Sequence, residues 1–464
     1  MKTDEHLVEY HNPKELTDLL SLSLPEKGEG LESAFSCIEQ TLAYSVRTGH
    51  PYFFNQLFNS VDPAALVGEW VTSAMNASIY TFETAPVFTL MEMLIVKESH
   101  RLFGLPLDGD GIFTPGSSIG ILMAVIMARN IQFPQTRIEG MRAAPPLVIF
   151  VSEDSHYAFT KAAIGTGLGL NACRKVKVDK FGRMSVEALE IAIAEAIEKG
   201  EVPLMIGATC GTTVYGAIDP LDEIADVAAK HKIWYHVDAA FAGSFCVSDK
   251  LRPRLKGIER ADSLNWNLHK ALGIPLQSSL LLCREAGVLQ RSNSTAAAYL
   301  FHSNDETAYD VGQKTIQCGR HVDCLKVYLS WKSNGRLGLA ESLEGSVAFV
   351  QEFYQACLAD PAFLLVTDPP ESFNCCFYVI PTQLQGVKEE DRDPAFFQAL
   401  GKATIALREA IRRDGTLFMN YQPQRGSEPF FRLTMHNFLL KSEHVHEIIG
   451  IIKAKVAELY PAQV

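Results

Sequence analysis

This 464-residue sequence lacks three things, and each absence closes off a class of function. No apolar run approaches the roughly 20 residues that a bilayer-spanning helix needs, so no membrane span is expected. No basic stripe or polybasic cluster stands out among 42 Lys+Arg and 54 Asp+Glu, and the net charge is −12. Neither a nucleic-acid footprint nor an anionic-membrane patch is therefore expected. The ten cysteines show no CxxC pair and no framework spacing, and Cys375 and Cys376 are adjacent. That pattern predicts no metal site; it predicts reduced cysteines packed as small hydrophobes. The opening stretch MKTDEHLVEYHNPKELTDLL has no charged region followed by an apolar core, so the expectation is a cytoplasmic protein without a secretory leader.

What is present is an ordinary globular composition, 47% hydrophobic and 21% charged, in a chain long enough for two or three lobes. To about Ala85 the pattern reads as helices joined by loops, with LESAFSCIEQTLAYSV at helical spacing before a Gly-His-Pro break at 49–51. From Pro86 to Gly338 short apolar runs alternate with helical segments. LVIFVS (147–152), LMIGATC (204–210), WYHVDAA (234–240) and SSLLLCRE (278–285) read as strands, with VEALEIAIAEAIEKG and LDEIADVAAKHK as helices between them. Such alternation predicts an α/β fold with a mainly parallel sheet covered on both faces. Helix formers and mixed strands from Leu339 onward, ending in HVHEIIGIIKAKVAELY, predict a small α+β C-terminal domain. The expected organisation is thus a helical segment over 1–85, a large domain over 86–338 and a small one over 339–464. No internal repeat is visible.

Open α/β sheets bind ligands beyond the carboxyl ends of their strands, so the residues after each apolar run carry the interest. Phe113-Thr114-Pro115-Gly116-Ser117-Ser118 opens a helix, which suits a phosphate, although such a turn taken alone is more often a plain N-cap. His156 follows LVIFVS and can stack on a flat ring or cap a helix. Asp238 follows WYHV and is followed by Ala239 and Ala240; it can hold a ring nitrogen protonated or simply form a turn. Lys270 sits beside His269 in an apolar context, where a desolvated amine forms a Schiff base with a carbonyl. A lysine taken singly is more often a solvated charge. The four features together, in this order, are far more specific than any one of them.

At this point the sequence resembles a known family, the group II pyridoxal-phosphate (PLP) decarboxylases of the aspartate-aminotransferase-like fold (fold type I). Within it the chain is most similar to the branch of glutamate and cysteine sulfinate decarboxylases. The carriers are HPYFFNQLF (50–58), YTFETAPVFTLME (80–92), GDGIFTPGSS (109–118), SEDSHY (152–157), ATCGTTVYGAIDP (208–220), WYHVDAAFAGS (234–244), NLHK (267–270), QCGRHVDCLK (317–326) and YQPQ…FFRLT (421–434). The resemblance implies that Lys270 carries PLP, that His156 stacks on its ring and that Asp238 pairs with its ring nitrogen. It also implies that Ala240 packs on the ring, that Ser117, Ser118 and His269 hold the phosphate, and that Thr212 and Asn267 lie at the cofactor. Gln56 and Arg432 match positions that hold substrate carboxylates. Phe58, Ser78 and Tyr80 match the cysteine sulfinate and aspartate enzymes, where the glutamate enzymes carry a small residue, Asn and Phe. A bulky Phe58 removes the room for one methylene, a bias worth about 1–3 kcal/mol. The implied reaction is decarboxylation of a small acidic amino acid. Cysteine sulfinate (to hypotaurine) is favoured, with aspartate (to β-alanine) and cysteate as co-substrates. Glutamate decarboxylation, transamination and oxidative deamination remain the alternatives. A homodimer with its site at the subunit interface is also implied.

Three departures stand out. Leu268 replaces the family's proline before His-Lys. Gly120 and Ile121 stand where the branch usually has Ser-Asn. The loop after Tyr299-Leu300-Phe301 is shorter than usual and leaves the Cα proton donor unassigned, with Tyr309 the one candidate there.

Overall fold

The computed structural model describes residues 6–20, 22–58, 60–295 and 309–461. The chain forms two compact units: unit 1 (Met1–Ser60, Ser346–Pro370, Asn374–Val464) and unit 2 (Val61–Gly345, Glu371–Phe373).

Unit 2 is built on seven strands: β1 (Asp110–Thr114), β2 (Leu147–Ser152), β3 (Cys173–Val176), β4 (Val202–Thr209), β5 (Trp234–Asp238), β6 (Ser263–Asn267) and β7 (Ser279–Cys283). Their order is β1-β7-β6-β5-β4-β2-β3. The β3, β2, β4, β5 and β6 pairings are parallel, and β7 runs antiparallel to both β6 and β1. Every residue of β1, β2, β6 and β7 is buried, and β2 and β7 accordingly read as apolar runs rather than as alternating patterns. The Ser117–Gln132 helix supplies Ile121, Met123, Ala124 and Met127 to a core shared with Ile112, Ile149, Val151, Leu281 and Cys283. On the other face the Pro86–Phe103 helix meets the sheet, with the Phe103 ring edge-on to Trp266 at 5.3 Å.

Unit 1 holds an antiparallel sheet of β8 (Phe363–Leu365), β9 (Asn374–Val379), β10 (Asn420–Gln422) and β11 (Phe430–Thr434), in the order β10-β11-β9-β8. The helices Pro394–Asp414 and Glu443–Leu459 contribute Leu407, Ile411, Ile448 and Ile452 to its core.

The three-part division expected from sequence does not coincide with these units. The change of periodicity at residue 86 marks where strand–helix alternation begins, not where packing changes. The Pro63–Met75 helix lies in unit 2: Asp62 N donates to Gly273 O at 2.8 Å, and a Cβ on Gly68 would lie 2.8 Å from Lys326 Cα. Leu7 and Tyr52–Phe54 are instead buried in the core of unit 1. The later boundary falls inside the Cys324–Leu358 helix, past the one non-helical residue there, Gly335. Among the described residues no helix is long and apolar enough to cross a membrane.

Candidate active site

In unit 2 the carboxyl ends of β1, β2, β4, β5 and β6 all point to one edge of the sheet, since β1 and β6 flank β7 in the same direction. Each end delivers one of the sequence-predicted residues: Ser117 and Ser118 after β1, His156 after β2 and Thr212 after β4. Asp238 and Ala240 come at the end of β5, and Asn267, His269 and Lys270 at the end of β6. The residues expected at a cofactor thus lie at five strand ends along one edge of the sheet.

The charges of Asp238 and Lys270 both act on His156. Burial lowers the His156 pKa, the Asp238 carboxylate works against that shift, and the Lys270 ammonium adds to it. The imidazole is therefore held neutral near pH 7. Its Nδ1 accepts from Ala158 N at 3.2 Å, which leaves the ring pinned at the start of the Ala158–Gly165 helix. Asp238 is buried and accepts from Ala240 N at 3.2 Å, a turn that brings the small Ala240 directly after the acid. Lys270 Nζ lies 5.9 Å from the Phe241 ring centroid.

A second cluster surrounds the Gly116 turn. Gly116 has φ 86 as the cap of the Ser117–Gln132 helix, a conformation that favours glycine. Ser117 Oγ and Ser279 Oγ both donate to Asn267 Oδ1, which ties the helix start to β6 and β7. Buried His269 has its pKa pushed down to about 4 by desolvation, and its Nδ1 lies 2.7 Å from Ser278 O and 3.0 Å from Ser278 N. Ser118 stands exposed in the first helical turn. Thr212 is buried, and its Oγ1 accepts from Ala217 N at 3.1 Å, which closes the turn after β4.

The predicted substrate residues divide between the units. In unit 1, Arg432 of β11 is buried, its pKa is lowered to about 10 by desolvation, and Nη2 donates to Asn55 O beside the exposed Gln56. Phe58 is half-buried, its ring 6.3 Å from that of Phe53. In unit 2, Ser78 Oγ accepts from Arg320 N at 3.1 Å, and Tyr80 O accepts from Gly312 N at 2.7 Å.

Sequence reasoning missed Arg320. Its buried guanidinium binds Ile79 O, Phe113 O and Glu92 Oε1, which couples the 78–80 segment to the end of β1. Only its place in QCGRHVDCLK marked it. Asn265, on β6 between the two predicted elements of the site, was missed as well. The shortened loop from Tyr299 through residue 308 lies outside the described residues. Tyr309 is described, and its ring packs on Phe82 at 5.4 Å.

Comparison with known proteins bears on this arrangement directly. The family description "Pyridoxal-dependent decarboxylase conserved domain" matches residues 13–380. The chain is 42% identical over 449 residues to the cysteine sulfinic acid decarboxylase of Mus musculus, covering 96% of this chain and 90% of that protein. The human protein of the same name is 41% identical, covering 94% and 88%. A crystal structure of mouse CSAD superposes with a TM-score of 0.94 at 40% identity, covering 98% of this chain and 94% of that one. The mainly parallel seven-stranded sheet is thus the fold-type-I sheet expected from the resemblance. The chain belongs to the pyridoxal-dependent decarboxylase family and is a PLP-dependent amino acid decarboxylase.

Proposed function

We propose that the enzyme decarboxylates L-cysteine sulfinate to hypotaurine and accepts aspartate and cysteate as secondary substrates. The observation that carries this reading is the 42% identity, across 96% of the chain, to a protein named for that reaction. The donor set at the sheet edge fits the cofactor. It offers an amine at Lys270, an acid at Asp238, a neutral imidazole at His156, and hydroxyls at the start of a helix.

In this reading Lys270 Nζ holds the cofactor aldehyde, and Asp238 keeps the ring nitrogen protonated. His156 and Ala240 would pack on the ring, with Thr212 close to the cofactor. Ser117, Ser118, Asn267 and His269 serve the phosphate, where the helix N-terminus adds unpaired N–H groups. The bound cofactor supplies the sink for the electron pair left when CO2 departs. Arg432 and Gln56 take substrate carboxylate or sulfinate oxygens, a planar guanidinium being matched to two parallel hydrogen bonds. Phe58, Ser78 and Tyr80 set the side-chain length the site admits.

A homodimer belongs to the same proposal, with the site at the subunit interface. Leu31, Phe35, Ile38 and Leu42 lie exposed at helical spacing on the Leu31–Tyr44 helix, as do Val67, Trp70, Val71 and Met75 on the Pro63–Met75 helix. Apolar faces of this size call for a partner, and a second copy is the one the chain always has at hand. Sedimentation of the active enzyme at one protomer's mass would remove that part. A cytoplasmic location fits the ten free cysteines, eight of them buried.

The test incubates purified protein and PLP with cysteine sulfinate, aspartate, cysteate and glutamate in turn, and identifies each product. Hypotaurine and CO2, formed fastest from cysteine sulfinate, are expected, and Lys270→Ala is expected to abolish turnover. Keto acid or aldehyde plus ammonia as main products would overturn the reaction. A preference for glutamate would overturn the substrate.

A further inference from the structure

Strand β6 carries a column of polar side chains, Ser263, Asn265 and Asn267, on the face toward the Ser117–Gln132 helix, all of them buried. The partners of the middle residue are fixed by its neighbours. Burial drives the His236 pKa to about 3, so this imidazole is neutral. With Nδ1 2.8 Å from Ser263 Oγ, His236 presents Nε2 as an acceptor to Asn265 Nδ2 at 3.2 Å. The amide nitrogen is thereby claimed. Asn265 Oδ1 then faces Gly120, is buried and has no hydrogen-bond partner among the described residues. A Cβ built on Gly120 would lie 2.1 Å from that oxygen and 2.9 Å from Asn265 Cγ. No side chain can occupy position 120 unless the amide moves, and moving it breaks the bond to His236. The same position is one of the departures from the branch pattern, which usually has Ser there.

Gly120 is in the first turn of the helix whose start carries Ser117 and Ser118. Rotation or lift of the helix at this point transmits directly to the N–H groups and hydroxyls of that turn. We propose that Asn265 and Gly120 act as a matched pair of positioning residues, seating the helix start on β6 at the depth that the cofactor phosphate requires. This rests on the reading of Ser117 and Ser118 as phosphate ligands. It assigns to Asn265, which contacts no reacting group, the role of holding those ligands through the helix. It also explains how the chain tolerates glycine where the branch has serine: the amide from β6 fills the volume that the missing side chain leaves.

The test is a mutant cycle on the full-length protein, stripped of cofactor and titrated separately with PLP and with pyridoxal, which lacks the phosphate. Gly120→Ser is expected to weaken PLP binding by about tenfold or more, the order of one lost charge-assisted hydrogen bond, while pyridoxal affinity changes by less than about twofold. Asn265→Ala removes the obstruction, so Gly120→Ser/Asn265→Ala is expected to bind PLP more tightly than Gly120→Ser alone. Should Gly120→Ser not fold, Gly120→Ala introduces the same Cβ and takes its place. The proposal is overturned if Gly120→Ser holds PLP as the wild type does. It is equally overturned if PLP and pyridoxal weaken in parallel, or if the double variant is no better than the single. Borohydride trapping of wild-type protein followed by peptide mass analysis separates this from the underlying reading: absence of cofactor on Lys270 would sink that reading instead.

Discussion

The two faces of β6 are equally buried and do different work. Leu264 and Trp266 on one face are fully buried apolar side chains. The Trp266 ring sits edge-on to Phe103, and its indole N–H donates to Ser244 Oγ at 3.0 Å. Ser263, Asn265 and Asn267 on the other face are just as inaccessible, yet they spend their polar groups on His236, Ser117 and Ser279. A buried amide costs free energy unless it is hydrogen-bonded, so a column of them adds little to stability and much to geometry. The apolar face therefore holds the strand in place, and the polar face holds the site's helix against the strand.

That division predicts opposite signatures for neighbouring residues. Trp266→Ala is expected to cost about 3–5 kcal/mol of folding stability, the range for emptying a fully buried aromatic site, with PLP affinity of the folded protein changed less than about threefold. Asn267→Ala is expected to cost only about 1–2 kcal/mol, because Ser117 and Ser279 lose a shared acceptor, while PLP affinity falls roughly tenfold. Urea unfolding paired with cofactor titration reads both quantities. If the tryptophan variant released PLP as readily as the asparagine variant while fully folded, the two faces would not be distinct.

The same contrast explains what could be read from the sequence. β2, β4, β5 and β7 announce themselves as apolar runs, and the strand-end rule then leads to His156 and Asp238; Lys270 stands out by its apolar context beside His269, and Thr212 only through the family resemblance. β6 is hidden. Its sequence, Ser-Leu-Asn-Trp-Asn, alternates like a half-exposed strand and contains asparagine, which strands disfavour, although every one of its residues is buried. The partnership of Asn265 with Gly120 was out of reach for a related reason. It joins residues far apart in the chain through a side chain whose orientation is decided by His236, and no periodicity encodes it. Arg320 is a similar case: lone arginines are usually solvated, and only the fold reveals that this one is buried on Glu92. The expected boundary at residue 86 follows composition, which changes where strands begin, whereas Gly68 and Asp62 pack with residues of unit 2.

The smallest effect tests the neutral histidine behind the polar face. His236 has a folded pKa of about 3 against an ordinary value of 6.5. Between these values the unfolded chain binds a proton that the folded chain refuses, so this residue's contribution is complete above about pH 6.5 and is lost as the pH falls. His236→Gln keeps a polar head near Ser263 and Asn265 but has nothing to protonate. From pH 7 to pH 4.5 the wild type is expected to lose about 1–3 kcal/mol more than this variant, at about 1.4 kcal/mol per pKa unit. Burial also lowers the pKa of His156 and His269, but they are common to both proteins and cancel in the difference. Urea midpoints measured across the range give the two curves directly. Parallel curves would mean that His236 is already charged or already solvated in the folded state. Asn265 Nδ2 would then have no acceptor to hold it, and the amide would be free to turn away from Gly120.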